Sequence, residues 1–250
     1  MAVLLEGRGL SKYFGALAAV DDVSFDVREG EILGLIGPNG AGKTTLVGLI
    51  AGTLPSTRGA LLLAGHSIAR LQPYQRAALG IARTFQVPRP LTGLTVVENV
   101  LVPALFARGS RRDMPAAEAQ VHEILATVGL DRAAAQRAEQ LTVTERKRLE
   151  LARALALQPR LLLLDEVMAG LNSREVEGVI ELVQQLNARG ITIIMIEHLM
   201  KAVMTLSHRV LVLHHGRRIA EGTPAEVTAD PAVVQAYLGR RYAAAGGGAL

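Results

Sequence analysis

The stretch Glu31-Ile-Leu-Gly-Leu-Ile36, followed by Gly37-Pro-Asn-Gly-Ala-Gly-Lys43-Thr44, decides the fold of this 250-residue chain. The first part is a short apolar run that predicts a buried strand. The second part matches the pattern G-x-x-x-x-G-K-[ST], and the residues after it, Leu46–Ala51, have helical spacing. An ordinary glycine-rich turn with an exposed lysine is the alternative. The position between a strand and a helix favours a nucleotide-phosphate site, because backbone N–H groups and a helix N-terminus there can surround phosphate oxygens.

The phosphate-loop pattern predicts a separate role for each of two side chains. Lys43 would reach the β and γ phosphates, and the Thr44 hydroxyl would be a ligand of Mg²⁺. The residues predicted to bind the nucleotide are Gly37, Pro38, Asn39, Gly40, Ala41, Gly42, Lys43, Thr44 and Thr45.

A second acidic element follows about half of the chain later, where the apolar run Leu161–Leu164 ends in Asp165 and Glu166. Open α/β sheets place their ligands at the carboxyl ends of strands. Asp165 is therefore predicted to hold Mg²⁺. Neighbouring side chains of a strand point in opposite directions, so Glu166 is predicted to leave the metal and orient the attacking water.

The composition excludes several classes of protein. There is no cysteine, which rules out disulfides, thiolate zinc sites and iron–sulfur clusters, and 50% of the residues are hydrophobic, which rules out general disorder. No apolar run approaches the ~20 residues of a membrane span, and no secretory signal is expected at the N-terminus. The 27 basic and 23 acidic residues allow a nucleic-acid partner. Four phenylalanines, four tyrosines and no tryptophan argue against a base-stacking surface.

The distribution of strand-like and helical patterns predicts one domain over residues 1–240 with an inserted helical subdomain. Strand-like runs occupy residues 1–86 and 159–240, and amphipathic helical patterns occupy residues 87–158. The last residues, 241–250, predict a flexible tail. The expected fold class is α/β: a P-loop NTPase core with a small antiparallel β-sheet and the helical insertion.

With its phosphate loop and the carboxylates Asp165 and Glu166, the chain resembles the ATPase subunits of ABC transporters over nearly its whole length. The resemblance implies ATP as the nucleotide and transport-coupled, Mg²⁺-dependent ATP hydrolysis, with Glu166, His198 and Lys43 as catalytic residues. It implies that Gln86, in ARTFQ, contacts the metal and water, and that His198, in IIMIEH, contacts the γ-phosphate. It also implies that Phe14, in KYFG, stacks on adenine. Taken singly, these three residues would be read as a loop glutamine, a helix-capping histidine and a packed aromatic.

Several stretches resemble the ATPase branch of branched-chain amino acid importers, among them LTVVENVLV at Leu94–Val102 and AVVQAYLG near the C-terminus. This resemblance implies uptake of those amino acids or of a related small polar solute. It implies two transmembrane permease subunits, a second ABC ATPase subunit (the same chain or a different one) and, indirectly, a solute-binding protein. It also implies peripheral attachment to the cytoplasmic face of the inner or plasma membrane, with a permease helix docked near residues 87–107.

The family's signature, a serine and two glycines before glutamine or glutamate, is altered here to Thr142, Val143, Thr144 and Glu145. The signature and Asn172, in the AGLN loop, are implied to act in trans on nucleotide held by a second subunit. Val143 and Thr144 replace glycines that let the backbone approach a phosphate closely. The expectation is that this chain's own site is competent and that the site it completes for its partner is weaker.

Two alternatives of other classes stay open at this stage. One is a soluble ABC ATPase that acts on nucleic acid or ribosomes, which the basic balance favours and the lack of a second ATPase module disfavours. The other is a catalytically weak, nucleotide-gated interaction subunit, which the altered signature favours and the intact Glu166 and His198 disfavour.

Overall fold

The computed structural model describes residues 2–107 and 113–238, and the chain divides into two compact units. The first unit comprises Met1–Arg70 and Ile194–Leu250, and the second comprises Leu71–Ile193. The tail predicted for residues 241–250 lies outside the described residues. The predicted borders of a helical subdomain, at residues 87 and 158, stay a prediction.

The elements alternate between strands and helices along most of the chain. The strands are β1 (Val3–Phe14), β2 (Leu17–Arg28), β3 (Ile32–Ile36), β4 (Arg58–Leu63), β5 (His66–Ser67), β6 (Ile81–Arg83), β7 (Leu161–Asp165), β8 (Thr192–Ile196), β9 (Arg209–His214) and β10 (Arg217–Gly222). The helices are α1 (Lys43–Ala51), α2 (Pro73–Ala78), α3 (Val96–Ala104), α4 (Met114–Val128), α5 (Val143–Ala156), α6 (Ser173–Ala188), α7 (Met200–Leu206), α8 (Pro224–Ala229) and α9 (Pro231–Leu238).

The first unit contains the small antiparallel sheet that the sequence predicts, with strand order β2-β1-β4-β5. Strands β1 and β2 are 12 residues each. Their pairing contains several register shifts, and Asp22 has a φ of 53°. Such shifts interrupt the regular pairing along both strands.

The strands that end at the predicted site are short and completely buried. All residues of β3 and β7 are buried, as expected for parallel strands covered on both faces. In the first unit β3 pairs in parallel with β9, and β10 pairs with β9 through a turn at His215-Gly216, as predicted. In the second unit β6 pairs in parallel with β7.

The helices of the second unit begin at polar residues that cap them. Thr95, Asp113, Thr142 and Asn172 each accept a hydrogen bond from a backbone N–H in the first turn of α3, α4, α5 and α6. The first three of these helices pack against one another. Over the ranges that the structure describes, no helix is both long enough and apolar enough to cross a bilayer.

Candidate active site

The phosphate loop of the first unit has a backbone that only glycine accommodates at two positions. Gly37 has a φ of 150° and Gly42 a φ of 102°. A side chain at Gly42 would collide with the carbonyl oxygen of Ala19, and one at Gly37 with that of Leu213. The loop therefore turns sharply between β3 and α1 and is held against neighbouring backbone, which fixes its shape.

The N-terminus of α1 faces this loop without a side-chain cap. Its N-cap is Gly42, and no side chain of the described residues caps the helix. The first turn contains no acidic residue, and Thr44 is exposed beside it. N–H groups and the positive end of the helix dipole are thus left for an anion, unlike at the capped helices of the second unit.

Lys43 is buried and curls back over the loop. Its Nζ donates to the carbonyl oxygens of Gly37 at 2.6 Å and Pro38 at 3.0 Å. The ammonium group therefore lies within the curve of the loop that phosphate oxygens would enter.

Two further predicted residues lie in the first unit. Phe14, at the end of β1, is 47% exposed, and the Nζ of Lys12 lies 5.0 Å from its ring centroid. An exposed ring of this kind is available for stacking, whereas the neighbouring Tyr13 donates its hydroxyl to Asp21. His198 is exposed and follows the end of β8 by two residues.

Asp165, at the end of β7 in the second unit, is 2% exposed and held at two points. Its backbone N–H donates to the Thr84 hydroxyl oxygen at 3.2 Å. Arg83, the last residue of β6, donates from Nη2 to Oδ2 of Asp165 at 2.7 Å. The strand pairing of β6 with β7 thus places a guanidinium group on the predicted metal ligand.

Glu166 lies just beyond the strand and contacts Gln86. The Nε2 of Gln86 donates to Oε2 of Glu166 at 2.5 Å, which brings two predicted site residues together. Strand alternation was the predicted reason why Glu166 would point away from Asp165, and this reason is wrong. The strand ends at Asp165, and Glu166 has a φ of 50°, in the left-handed region.

The altered signature forms the N-terminus of α5 and satisfies its own polar groups. Oε2 of Glu145 accepts from both the N–H and the hydroxyl of Thr142 at 2.8 Å, and Thr142 Oγ1 accepts from the N–H of Glu145. The Thr142 N–H, followed by its hydroxyl, holds the pKa of Glu145 below its ordinary value. Val143 is 68% exposed at the start of the helix.

The loop that contains Asn172 is connected to α5 by side chains. Asn172 caps α6, and the hydroxyl of Thr144 donates to Oε1 of Glu175 at 2.9 Å, while Oε2 of Glu175 accepts from the N–H of Asn172. Lys147 donates to the carbonyl oxygen of Ala169. Residues 142–145 and Asn172 therefore share one hydrogen-bonded cluster of the second unit.

Sequence reasoning missed four residues that organise these groups: Arg83, Thr84, Lys147 and Glu175. Arg83 had one visible signal, a charged residue at the end of an otherwise apolar strand. Glu175 follows Asn172 by three residues, which is the spacing of a capping box. Thr84 and Lys147 had no local signal, because their partners lie far away in the chain.

Comparison with known proteins gives two family matches. The family described as "ABC transporter" matches residues 20–169. The family described as "Branched-chain amino acid ATP-binding cassette transporter" matches residues 217–243. A similar curated protein is the high-affinity branched-chain amino acid transport ATP-binding protein LivG of Salmonella typhimurium. It is 40% identical over 249 residues, covering 94% of this chain and 98% of LivG.

Solved structures agree with these matches. An ATP-binding cassette of an ABC transporter in its ADP conformation has a TM-score of 0.85 and 31% identity, covering 96% of this chain and 100% of that one. A dimeric bacterial ABC transporter cassette has a TM-score of 0.80 and 26% identity, covering 88% and 99%. The predicted α/β fold with its phosphate loop is confirmed.

Proposed function

The chain belongs to the ABC transporter family and is an ATPase of that family, and from this premise we propose that it powers the uptake of branched-chain amino acids or a related small polar solute. The match of residues 217–243 and the 40% identity to LivG support the solute class. The observation that carries the proposal is the hydrogen bond between Gln86 and Glu166, because it joins two residues of hydrolysis beside a strand that ends in Asp165.

ATP fits the phosphate loop as the structure has it. The uncapped start of α1 offers N–H donors, and Gly37 and Gly42 let the loop pack against neighbouring backbone, which fixes its shape. Phosphate oxygens would replace the Gly37 and Pro38 carbonyls as acceptors for Lys43, and the exposed ring of Phe14 would stack on adenine.

Thr44, Asp165 and Gln86 are the residues that we propose would hold Mg²⁺. Within the described ranges no group of three or more His, Asp and Glu side chains could hold a metal alone, so phosphate oxygens must complete the set. The ion pair with Arg83 supports this assignment, because the Asp165 carboxylate already lies beside a positive charge. Bound there, Mg²⁺ would neutralise charge on the phosphates.

Glu166 would orient the attacking water and accept its proton, and Gln86 would hold the Glu166 carboxylate in place. Lys43 would stabilise charge on the transferred phosphoryl group, and His198 would contact the γ-phosphate.

The proposed assembly contains two ATPase subunits, two transmembrane permease subunits and, indirectly, a solute-binding protein, with this chain on the cytoplasmic face of the membrane. The proposed permease contact along residues 87–107 rests on the family resemblance, and Val87 and Phe106 are exposed apolar side chains of this segment. Nucleic acid is not expected as a partner.

The test is solute uptake by the assembled transporter. Tagged chain is purified from membranes with its partner subunits and reconstituted in liposomes, with the binding protein and radiolabelled solutes on the opposite side. We expect accumulation of leucine driven by Mg²⁺ and ATP, and no accumulation of urea, acetamide or phenylacetate.

Lys43→Ala is the control for the coupling of uptake to ATP hydrolysis. It should lower uptake by about a hundredfold or more, because the proposed stabiliser of charge on the transferred phosphoryl group is lost. Purification without any membrane protein would contradict the proposed assembly. ATP-driven uptake of another small polar solute but not of leucine would contradict the branched-chain amino acid reading alone.

A further inference from the structure

Arg83 forms an ion pair in a place where a charge is costly. Its side chain is 13% exposed and that of Asp165 is 3% exposed, and Nη2 and Oδ2 are 2.7 Å apart. Buried charges persist in a fold only when each is compensated by a partner. A cation must therefore accompany Asp165 in every state in which its carboxylate is ionised and buried.

The guanidinium group of Arg83 is only partly used by the fold. Its buried Nε has no hydrogen-bond partner among the described residues. Arg209 in the first unit is different, since its Nε, Nη1 and Nη2 all reach carboxylates, of Glu31, Glu221 and Asp26. Fewer of the guanidinium donors of Arg83 than of Arg209 are therefore paired with carboxylates.

The guanidinium group that pairs with Asp165 also lies against an aromatic ring. The Cζ of Arg83 is 5.2 Å from the ring centroid of Phe85, which is 40% exposed, and Arg89 also lies over this ring. A guanidinium over an aromatic ring is stabilised without a carboxylate. Arg83 therefore has an attraction to the protein that does not depend on Asp165.

Asp165 does not depend on Arg83 for its backbone position. The Thr84 hydroxyl accepts from the N–H of Asp165, and the N–H of Thr84 donates to the carbonyl oxygen of Leu163 at 2.9 Å. The strand end is thus fixed by groups other than the guanidinium.

We infer that Arg83 is a positioning residue that occupies the Asp165 carboxylate as a resident cation and must leave it when Mg²⁺ binds with ATP. This inference rests on the proposed function, in which Asp165 is a metal ligand. Arg83 orients the Asp165 carboxylate before the metal arrives, and its positive charge weakens metal binding.

The test measures Mn²⁺ binding by electron paramagnetic resonance, in the presence of a non-hydrolysable ATP analogue. We expect Arg83→Gln to bind Mn²⁺ about tenfold more tightly than the wild-type chain, because a competing like charge has been removed. Arg83→Lys restores a cation and should return the affinity to within about threefold of wild type. An unchanged or weaker Mn²⁺ affinity in Arg83→Gln would overturn the inference. So would an Arg83→Lys variant that binds Mn²⁺ as tightly as Arg83→Gln does.

Arg153→Gln is the matched control. Arg153 is also a half-buried arginine with an unpartnered Nε, and it pairs with Glu150 at 2.9 Å, on α5. Its replacement should leave Mn²⁺ affinity unchanged, whereas a gain equal to that of Arg83→Gln would overturn the inference.

Asp165→Asn separates the inference from the proposed function. If it leaves Mn²⁺ affinity at the wild-type value, the metal assignment of the proposed function fails. If it weakens Mn²⁺ binding and Arg83→Gln does not strengthen it, only the role of Arg83 fails.

A measurement on the wild-type chain covers the case in which Arg83→Gln does not fold. The Nε–H resonance of Arg83 is followed by nuclear magnetic resonance with the ATP analogue, before and after Mg²⁺ is added. Faster solvent exchange after Mg²⁺ supports release of the guanidinium group, and an unchanged exchange rate overturns it.

Discussion

At Gly42 the phosphate loop passes so close to β2 that the carbonyl oxygen of Ala19 leaves no room for a side chain. The left-handed φ of 102° adds a second reason for glycine. The loop is therefore shaped by contacts with the first unit before any nucleotide is bound.

Gly42→Ala should accordingly destabilise the nucleotide-free chain more than a glycine substitution that causes strain alone. The expected loss is about 2–5 kcal/mol, the sum of left-handed strain and overpacking. The free energy of unfolding in urea, without nucleotide, measures it.

Gly15→Ala is the matched control. Gly15 has a φ of 58°, and no described atom lies within 4 Å of the position that a Cβ would take. Only the strain of about 1–2 kcal/mol should appear. Equal losses in the two variants would mean that the contact with Ala19 does not constrain the loop.

At the scale of elements, a repeated device begins several helices: a threonine or asparagine N-cap with a glutamate three residues later. In α3 the carboxylate of Glu98 accepts from the N–H and the hydroxyl of Thr95. The backbone N–H of Thr95 is the main cause that lowers the pKa of Glu98 below its ordinary value. Glu145, Glu175 and Glu226 have lowered pKa values for the same main reason.

These carboxylates predict sensitivity to acid. A group with a lowered folded-state pKa stabilises the fold fully above its unfolded-state pKa, and this contribution is lost as pH falls through the folded-state value. Glu98→Gln should change stability little at pH 7, because glutamine also completes a capping box. Below about pH 4.5, the ordinary value, the wild-type chain should lose stability more steeply than the variant.

Urea unfolding at a series of pH values from neutral to acid tests this difference. Glu118→Gln, on the exposed side of α4, is the control and should keep the wild-type slope. Parallel slopes for the wild-type chain and Glu98→Gln would contradict the role assigned to the capping carboxylate.

The elements that sequence reasoning found are those specified by neighbouring residues. The phosphate loop, β3 and the carboxylates after β7 depend on local spacing, and the structure places them where they were predicted. The Arg83–Asp165 pair joins residues 82 positions apart, and Thr144–Glu175 joins residues 31 apart. No local pattern encodes such contacts, because they form only when strands or helices pack. The roles of the site residues themselves stay predictions.

At the scale of the whole molecule, the N-terminus of α5 bears on the proposed pairing with a second ATPase subunit. Thr142 and Glu145 satisfy each other, and the Glu145 carboxylate lies where a helix would otherwise attract an anion. Val143 adds an exposed branched side chain at the same end. Each of these features opposes a close approach of phosphate.

We therefore expect an assembly with a different ATPase subunit to be asymmetric. Glu166→Gln in this chain should lower its ATP turnover by about a hundredfold, because the residue that orients the water is lost. The corresponding change in the partner should lower turnover much less, since the site that α5 completes is already weak. Steady-state phosphate release by the two purified assemblies measures both losses, and equal losses would contradict the asymmetry.

The left-handed backbone at Glu166 makes this position costly for the stability of the fold. A φ of 50° is unfavourable for glutamate and easy for glycine or asparagine. Either of those residues would fit the backbone better, but neither has a carboxylate that could orient water. The strained conformation thus exchanges stability for a carboxylate held beside Gln86.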